Sequence, residues 1–199
     1  MIFATLQMRA QQNQLRIIPD LDTLLLCQDQ VQGLSYIYEN AHPVDSPAYL
    51  FDTIPFQMES TTGTSVNLGD DDNTPAINIG FNFNFWGTVY QNFHIHSNGY
   101  ISFNSGTPNN YTSSPLPNNH FSPYPVIFAA HTDLKPTPSA NSGIRYQTIG
   151  TAPFRKLVVS WENVPFFSCT HLTASFQIVL HETHHWIDIH IANKPVCEI

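Results

Sequence analysis

The 199-residue chain predicts an all-β fold, an antiparallel β-sandwich or jelly-roll-like single domain behind an irregular N-terminal extension, and three observations carry that expectation. Long runs alternate apolar and polar residues, the period of a strand with one buried face. Clusters of Gly, Pro, Asn and Asp separate eight or more short runs at regular spacing, which suits a sandwich or jelly roll rather than a parallel sheet. No segment sustains the periodicity of an amphipathic helix together with its caps. Hydrophobic residues at 42% and aromatics at 13% exclude disorder, and the length suffices for one buried core.

Residues 1–12 read as a truncated leader-like segment, with Ile2 to Leu6 as a shortened apolar region and Arg9-Ala10-Gln11 near a cleavage point. Residues 13–47 form the extension, with short strands expected at Arg16-Ile17-Ile18 and Thr23 to Cys27. The sandwich domain is expected over 48–199. Ala48 to Met58 adds an edge strand whose pairing Pro47 and Pro55 limit, and Glu59 to Asp72 is a loop.

The centre of the domain is Ile77 to Asn104. Ile77, Ile79, Phe81, Phe83 and Phe85 face inward against Asn78, Gly80, Asn82 and Asn84. After Trp86-Gly87 the alternation resumes, with Val89, Gln91, Phe93 and Ile95 on one face and Tyr90, Asn92, His94 and His96 on the other, the two histidines expected exposed. Asn98-Gly99 then predicts a type I′ hairpin, which needs positive φ at both central residues. Ser105 to Tyr124 is a long Pro-rich surface loop, of the kind that is usually functional or mobile. Pro125 to His131 is a continuous apolar run expected as a central strand. Ile144 to Gln147 pairs with Lys156 to Glu162, and Thr173 to His181 with Trp186 to Ala192 around Glu182 to His185.

Charge narrows the partners. Seven basic against fifteen acidic residues give a net charge of -8, which supplies no footprint for nucleic acid and no attraction to an anionic membrane. No run approaches the roughly 18 apolar residues of a membrane helix, so membrane insertion is not expected. Charged residues make up only 11%, against about a quarter in average soluble domains, and Asn, Ser, Thr and Gln fill the polar surface as they do in extracellular β modules.

Few motifs carry chemistry. His181-Glu182-Thr183-His184-His185 matches H-E-x-x-H, but a zinc protease needs that pattern on a helix, and the alternating flanks place it on a β-turn. Its readings are a metal-dependent hydrolase using His181, Glu182 and His185, opportunistic transition-metal binding that also draws on His184 and His190, or a solvated polar turn. Asp70, Asp71 and Asp72, with Asp133, offer hard oxygen ligands for calcium, or form a charged turn. Trp86, Tyr90, Tyr100, Tyr111 and Tyr124 are candidates for exposed aromatics that stack on sugar faces, as in a carbohydrate-binding module. Asn110-Tyr111-Thr112 is a sequon. No nucleophile elbow or phosphate loop is present, and the chain is read as non-enzymatic and free of cofactors unless calcium binds.

The ordered phrases IGFNFNFWGTVYQNFHIHSNGYISFN, PLPNN, PVIFAAHTDL, GIRYQTIGTAPFRKLVVSWENVPFFSC and FQIVLHETHHWIDIHIANKPVC resemble a β module of large, secreted, gliding-motility-associated or adhesin-like surface proteins of Bacteroidetes-type bacteria. The likeness covers Leu68 to Cys197. A more distant one is to the nidogen-type extracellular domain, which shares the phenylalanine-rich strand followed by S-N-G-Y-I-S-F. The resemblance implies a secreted or cell-surface module, non-catalytic, acting in adhesion or surface motility on a surface polysaccharide or protein ligand. It also implies one module of a longer multidomain chain. It suggests a Cys169–Cys197 bridge that leaves Cys27 free or for a partner outside this stretch, three free buried thiols being the alternative.

Overall fold

The computed structural model describes residues 4–10, 17–19, 36–38, 49–60, 62–107, 121, 123–137, 139 and 142–197. Among these there is no helix, and thirteen strands follow in order. They are β1 (Ala4–Ala10), β2 (Ile17–Pro19), β3 (Tyr36–Tyr38), β4 (Tyr49–Asp52), β5 (Thr64–Val66), β6 (Ile77–Phe85) and β7 (Thr88–His96). Then come β8 (Tyr100–Ser102), β9 (Val126–Phe128), β10 (Gly143–Ile149), β11 (Lys156–Pro165), β12 (Thr173–His181) and β13 (Ile187–Asn193). A seven-stranded sheet runs β4-β1-β13-β12-β11-β10-β5, a four-stranded one runs β6-β7-β8-β9, and β2 pairs with β3. All the ladders are antiparallel.

The two larger sheets pack face to face because each carries an apolar face. On the seven-stranded sheet the register aligns Leu157, Leu180 and Ile187, then Val159, Ile178 and Ile189, then Trp161, Phe176 and Ile191. Such cross-strand rows are the unit of sheet stabilisation. Ile79, Phe81, Phe83, Phe85, Phe93, Ile95 and Ile101 supply the other layer, all buried. Trp161 ties the layers together: its ring stacks on Phe176 at 5.0 Å, and its indole N–H donates to the His96 carbonyl at 3.2 Å.

The outer face of the seven-stranded sheet is not uniformly polar. Ser160, Gln177 and His190 form a buried polar row under the segment 53–60. Gln177 bonds the Glu59 backbone in both directions, at 2.8 and 2.9 Å, and Phe56 meets His190 edge-on at 6.0 Å. Burial lowers the His190 pKa.

Several expectations change. The seven-stranded sheet draws on the chain before residue 48, since β1 lies between β4 and β13. The apolar alternation of Ala4, Leu6 and Met8 aligns in register with Ile191, Ile189 and Ile187. The Pro125–His131 run gives only a three-residue strand, at the end of its sheet rather than its centre. Its continuation turns away because the Ala129 and Ala130 N–H groups donate to the Gly99 carbonyl at 3.1 and 3.4 Å. His94 and His96 are buried, not exposed. Loop residues cover that face, His94 Nδ1 lies 2.8 Å from the Thr74 carbonyl, and His96 Nε2 lies 2.9 Å from Ser102 Oγ.

The two turns exchange geometry as well. Trp86 and Gly87 both have positive φ, 51° and 80°, and Phe85 pairs with Thr88, so the two-residue hairpin lies there. At Asn98-Gly99, His96 pairs with Tyr100, leaving a three-residue loop in which Gly99 alone is left-handed, at φ 84°. Three-residue hairpin loops commonly close on such a left-handed glycine. A register shift of the β6–β7 ladder between Asn78 and Phe83 also disturbs the alternation of β7. Tyr90 therefore packs inward while Val89 is 57% exposed.

Candidate functional site

The H-E-x-x-H residues sit where β12 turns into β13, and structural bonds occupy them. Arg155 donates from Nε and Nη2 to the two carboxylate oxygens of Glu182, and its backbone N–H adds a third bond at 3.0 Å. These hydrogen bonds hold the Glu182 carboxyl below its ordinary pKa. His181 Nε2 lies 2.7 Å from Asp188 Oδ2. His185 Nδ1 accepts from the Asn84 N–H at 3.3 Å, and burial depresses its pKa. A glutamate clamped by a guanidinium is a poor general base, and strand-turn-strand geometry does not place the histidines as a helix would.

Among the described residues, one group of three or more potential ligands converges: Asp70, Asp71 and Asp133, whose ligand atoms lie within 4.8 Å of one another. Asp72 turns elsewhere, accepting from the Gly69 and Asn73 N–H groups at 3.1 and 2.8 Å. Asn98 holds the group to the core, donating to Asp71 Oδ1 at 2.7 Å while its own Oδ1 accepts from the buried Leu134 N–H at 2.9 Å. Desolvation, then the Asp71 and Asp70 charges, raise the Asp133 pKa. Three carboxylates so disposed are hard oxygen ligands of the type calcium takes. Sequence reading missed Asn98 here because its Asn-Gly pairing already accounted for it as a turn residue.

The five aromatic candidates separate. Tyr100 is a correction: it is fully buried, stacked on His96 at 4.1 Å and covered by the rings of Phe121, Phe128 and His131. Tyr111, the sequon and Cys27 lie outside the described residues. Trp86, Tyr90 and Tyr124 meet along one groove of about 320 Å³, whose lining includes Phe85, Thr88 and Pro123 and, among the described residues, no charged side chain. Tyr90 is backed by Phe103, stacked at 4.6 Å and 17°. Trp86 is 53% exposed at the rim. A second groove of about 400 Å³ is polar, lined by Asn78, Asn82, Gln91, Arg155 and Glu182 beside Phe81. No residue pattern signals it, since Arg155 and Glu182 come from turns far apart in the chain.

Cys169 and Cys197 are bonded, with Cα atoms 5.9 Å apart, and fasten the chain after β13 to the loop after β11. Among the described residues no helix is long and apolar enough to cross a membrane. A family model described as NIDO related matches residues 48–196. No curated protein and no solved structure matches the chain.

Proposed function

Because the chain belongs to the nidogen-related family, we propose that it is a non-catalytic extracellular β-sandwich module of a bacterial cell-surface protein, acting in adhesion or gliding-type surface motility. The family is an extracellular module type, and the Cys169–Cys197 bridge fits an oxidising compartment. The observation that carries the adhesive part is the uncharged groove where Trp86, Tyr90 and Tyr124 meet on a rigid sandwich. Aromatic rings held by a scaffold present contact area without paying much side-chain entropy. The engagement of Glu182 by Arg155 speaks against the hydrolase alternative.

Antibodies raised against the module test this reading. They are expected to label intact cells of the source organism, and protease treatment of those cells should remove the label. Beads coated with the module are expected to be retained on films of the cells' own extracellular polysaccharide more than albumin-coated beads. Labelling that needs permeabilised cells would refute the surface assignment.

A further inference from the structure

We infer that the groove between the β6–β7 turn and the segment 123–126 is a binding site for neutral polysaccharide, with Trp86 as its stacking platform. The inference rests on the adhesive reading and names its ligand class. Three features of the molecule converge on it.

The first is backbone strain. Trp86 has a φ of 51°, in the left-handed region that Gly and Asn reach at low cost and that bulky residues avoid. Either of those residues would close the same two-residue turn with less strain. A tryptophan there carries a conformational penalty and leaves 53% of its surface exposed. Strain of this kind concentrates at ligand-binding positions.

The second is the wall facing it. Tyr90 is fixed by its stack on Phe103, and Tyr124 is held across the groove, its N–H donating to the Phe121 carbonyl at 2.7 Å. Trp86 is itself steadied by Tyr49, whose ring meets it edge-on at 5.2 Å. The groove thus joins aromatic rings to the hydroxyls of Thr88, Tyr90 and Tyr124. Sugar rings present the same combination in reverse: apolar C–H faces that stack, and rim hydroxyls that hydrogen-bond.

The third is charge. The chain carries a net -8, yet among the described residues no charged side chain lines this groove. A charged polymer would find neither partners nor attraction there, so the ligand is uncharged. A volume of about 320 Å³ is at the small end for ligand sites, which fits a unit or two of a longer chain passing over the rim.

Affinity electrophoresis tests the site, with β-glucan, α-mannan and xyloglucan as neutral probes and polygalacturonate as the charged one. Wild type is expected to be retarded by at least one neutral probe and not by polygalacturonate. Trp86→Asn suits the left-handed turn and should fold with an unchanged circular dichroism spectrum, but it loses the platform, so its dissociation constant should rise roughly tenfold or more. Tyr124→Ala should weaken binding as well. Phe154→Ala removes an exposed aromatic outside the groove, 69% exposed, and should leave binding unchanged. Retardation by none of the neutral probes, equal retardation of Trp86→Asn and wild type, or binding of a decaproline peptide in place of the sugars would each overturn the inference. Beads coated with Trp86→Asn that still adhere would leave the surface-module reading standing and remove the groove from it.

Discussion

At one end of β7 the chain reverses through Trp86 and Gly87, and at the other through Ser97, Asn98 and Gly99. Both turns join strands of the same sheet, and both need a left-handed residue, yet they stand in opposite surroundings. The second is sealed in the interior: Ser97, Asn98 and Gly99 are buried, and a Cβ on Gly99 would lie 2.9 Å from both the Ala130 carbonyl oxygen and the Phe176 ring. The first projects from the rim with its tryptophan half exposed. In the sealed turn every choice of residue has a partner that requires it. At the rim the left-handed tryptophan packs against Tyr49 and Phe85 yet leaves 53% of its surface open, and an open ring held at a conformational cost is where a requirement set by a ligand would show.

The comparison breaks most severely at Gly99. Gly99→Ala adds a methyl group between two fixed neighbours and forces a left-handed alanine, so we expect a loss of about 3 kcal/mol, read by denaturant melts. A loss under about 1 kcal/mol would mean that the turn is not sealed. Asn98→Ala comes next. It strands the buried Leu134 N–H and frees Asp71, and should cost about 2 kcal/mol. Asn98→Asp should not restore it, since a carboxylate can accept from Leu134 but cannot donate to Asp71.

The same comparison shows what the sequence made legible. The inward phenylalanines of β6 were readable because period 2 survives wherever a strand has one buried face, and the turn position of His181 to His185 followed from its alternating flanks. The exchange of turn types was not readable. Asn-Gly is the stronger local signal for a type I′ turn, but Asn98 has long-range partners in Asp71 and Leu134 that hold it in a three-residue loop. His94 and His96 looked exposed because alternation assumes one solvated face, and here Thr74, ahead of β6, covers His94 while Ser102 and the Tyr100 ring cover His96. Phe121 and Phe128 likewise cover Tyr100 and remove it from the aromatic candidates. Asp133 could be named beside Asp70 and Asp71 from its place at a strand end, whereas the departure of Asp72 depended on its own turn bonds.

At the rim the expected sign reverses. Trp86→Asn should leave stability unchanged or raise it by up to about 0.5 kcal/mol, because relief of the left-handed tryptophan offsets the lost contacts with Tyr49 and Phe85. A thermal melt checks this. Destabilisation beyond about 1 kcal/mol would make Trp86 a packing residue, and the two turns would then differ in exposure rather than in purpose.

The smallest effect sharpens the comparison from the acidic side of the sealed turn. Asp133 has its pKa raised by desolvation and by the charges of Asp71 and Asp70. A carboxyl whose folded pKa lies above its unfolded value contributes stability that is complete below the unfolded pKa and is lost as pH rises through the folded one. At neutral pH the ionised Asp133 is therefore a net cost to the fold. Asp133→Asn removes one of three converging charges and should stabilise the protein at pH 7 in the presence of a chelator, by about 0.3 kcal/mol because solvent screens a partly exposed group. The gain should shrink as the pH falls towards 4 and the wild-type carboxyl takes up its proton. Melts of both proteins at pH 7 and pH 4 decide the matter: a variant that is less stable at pH 7 would show that Asp133 is held by hydrogen bonds that outweigh the repulsion. The acidic cluster would then be part of the seal that Asn98 makes rather than a strain upon it.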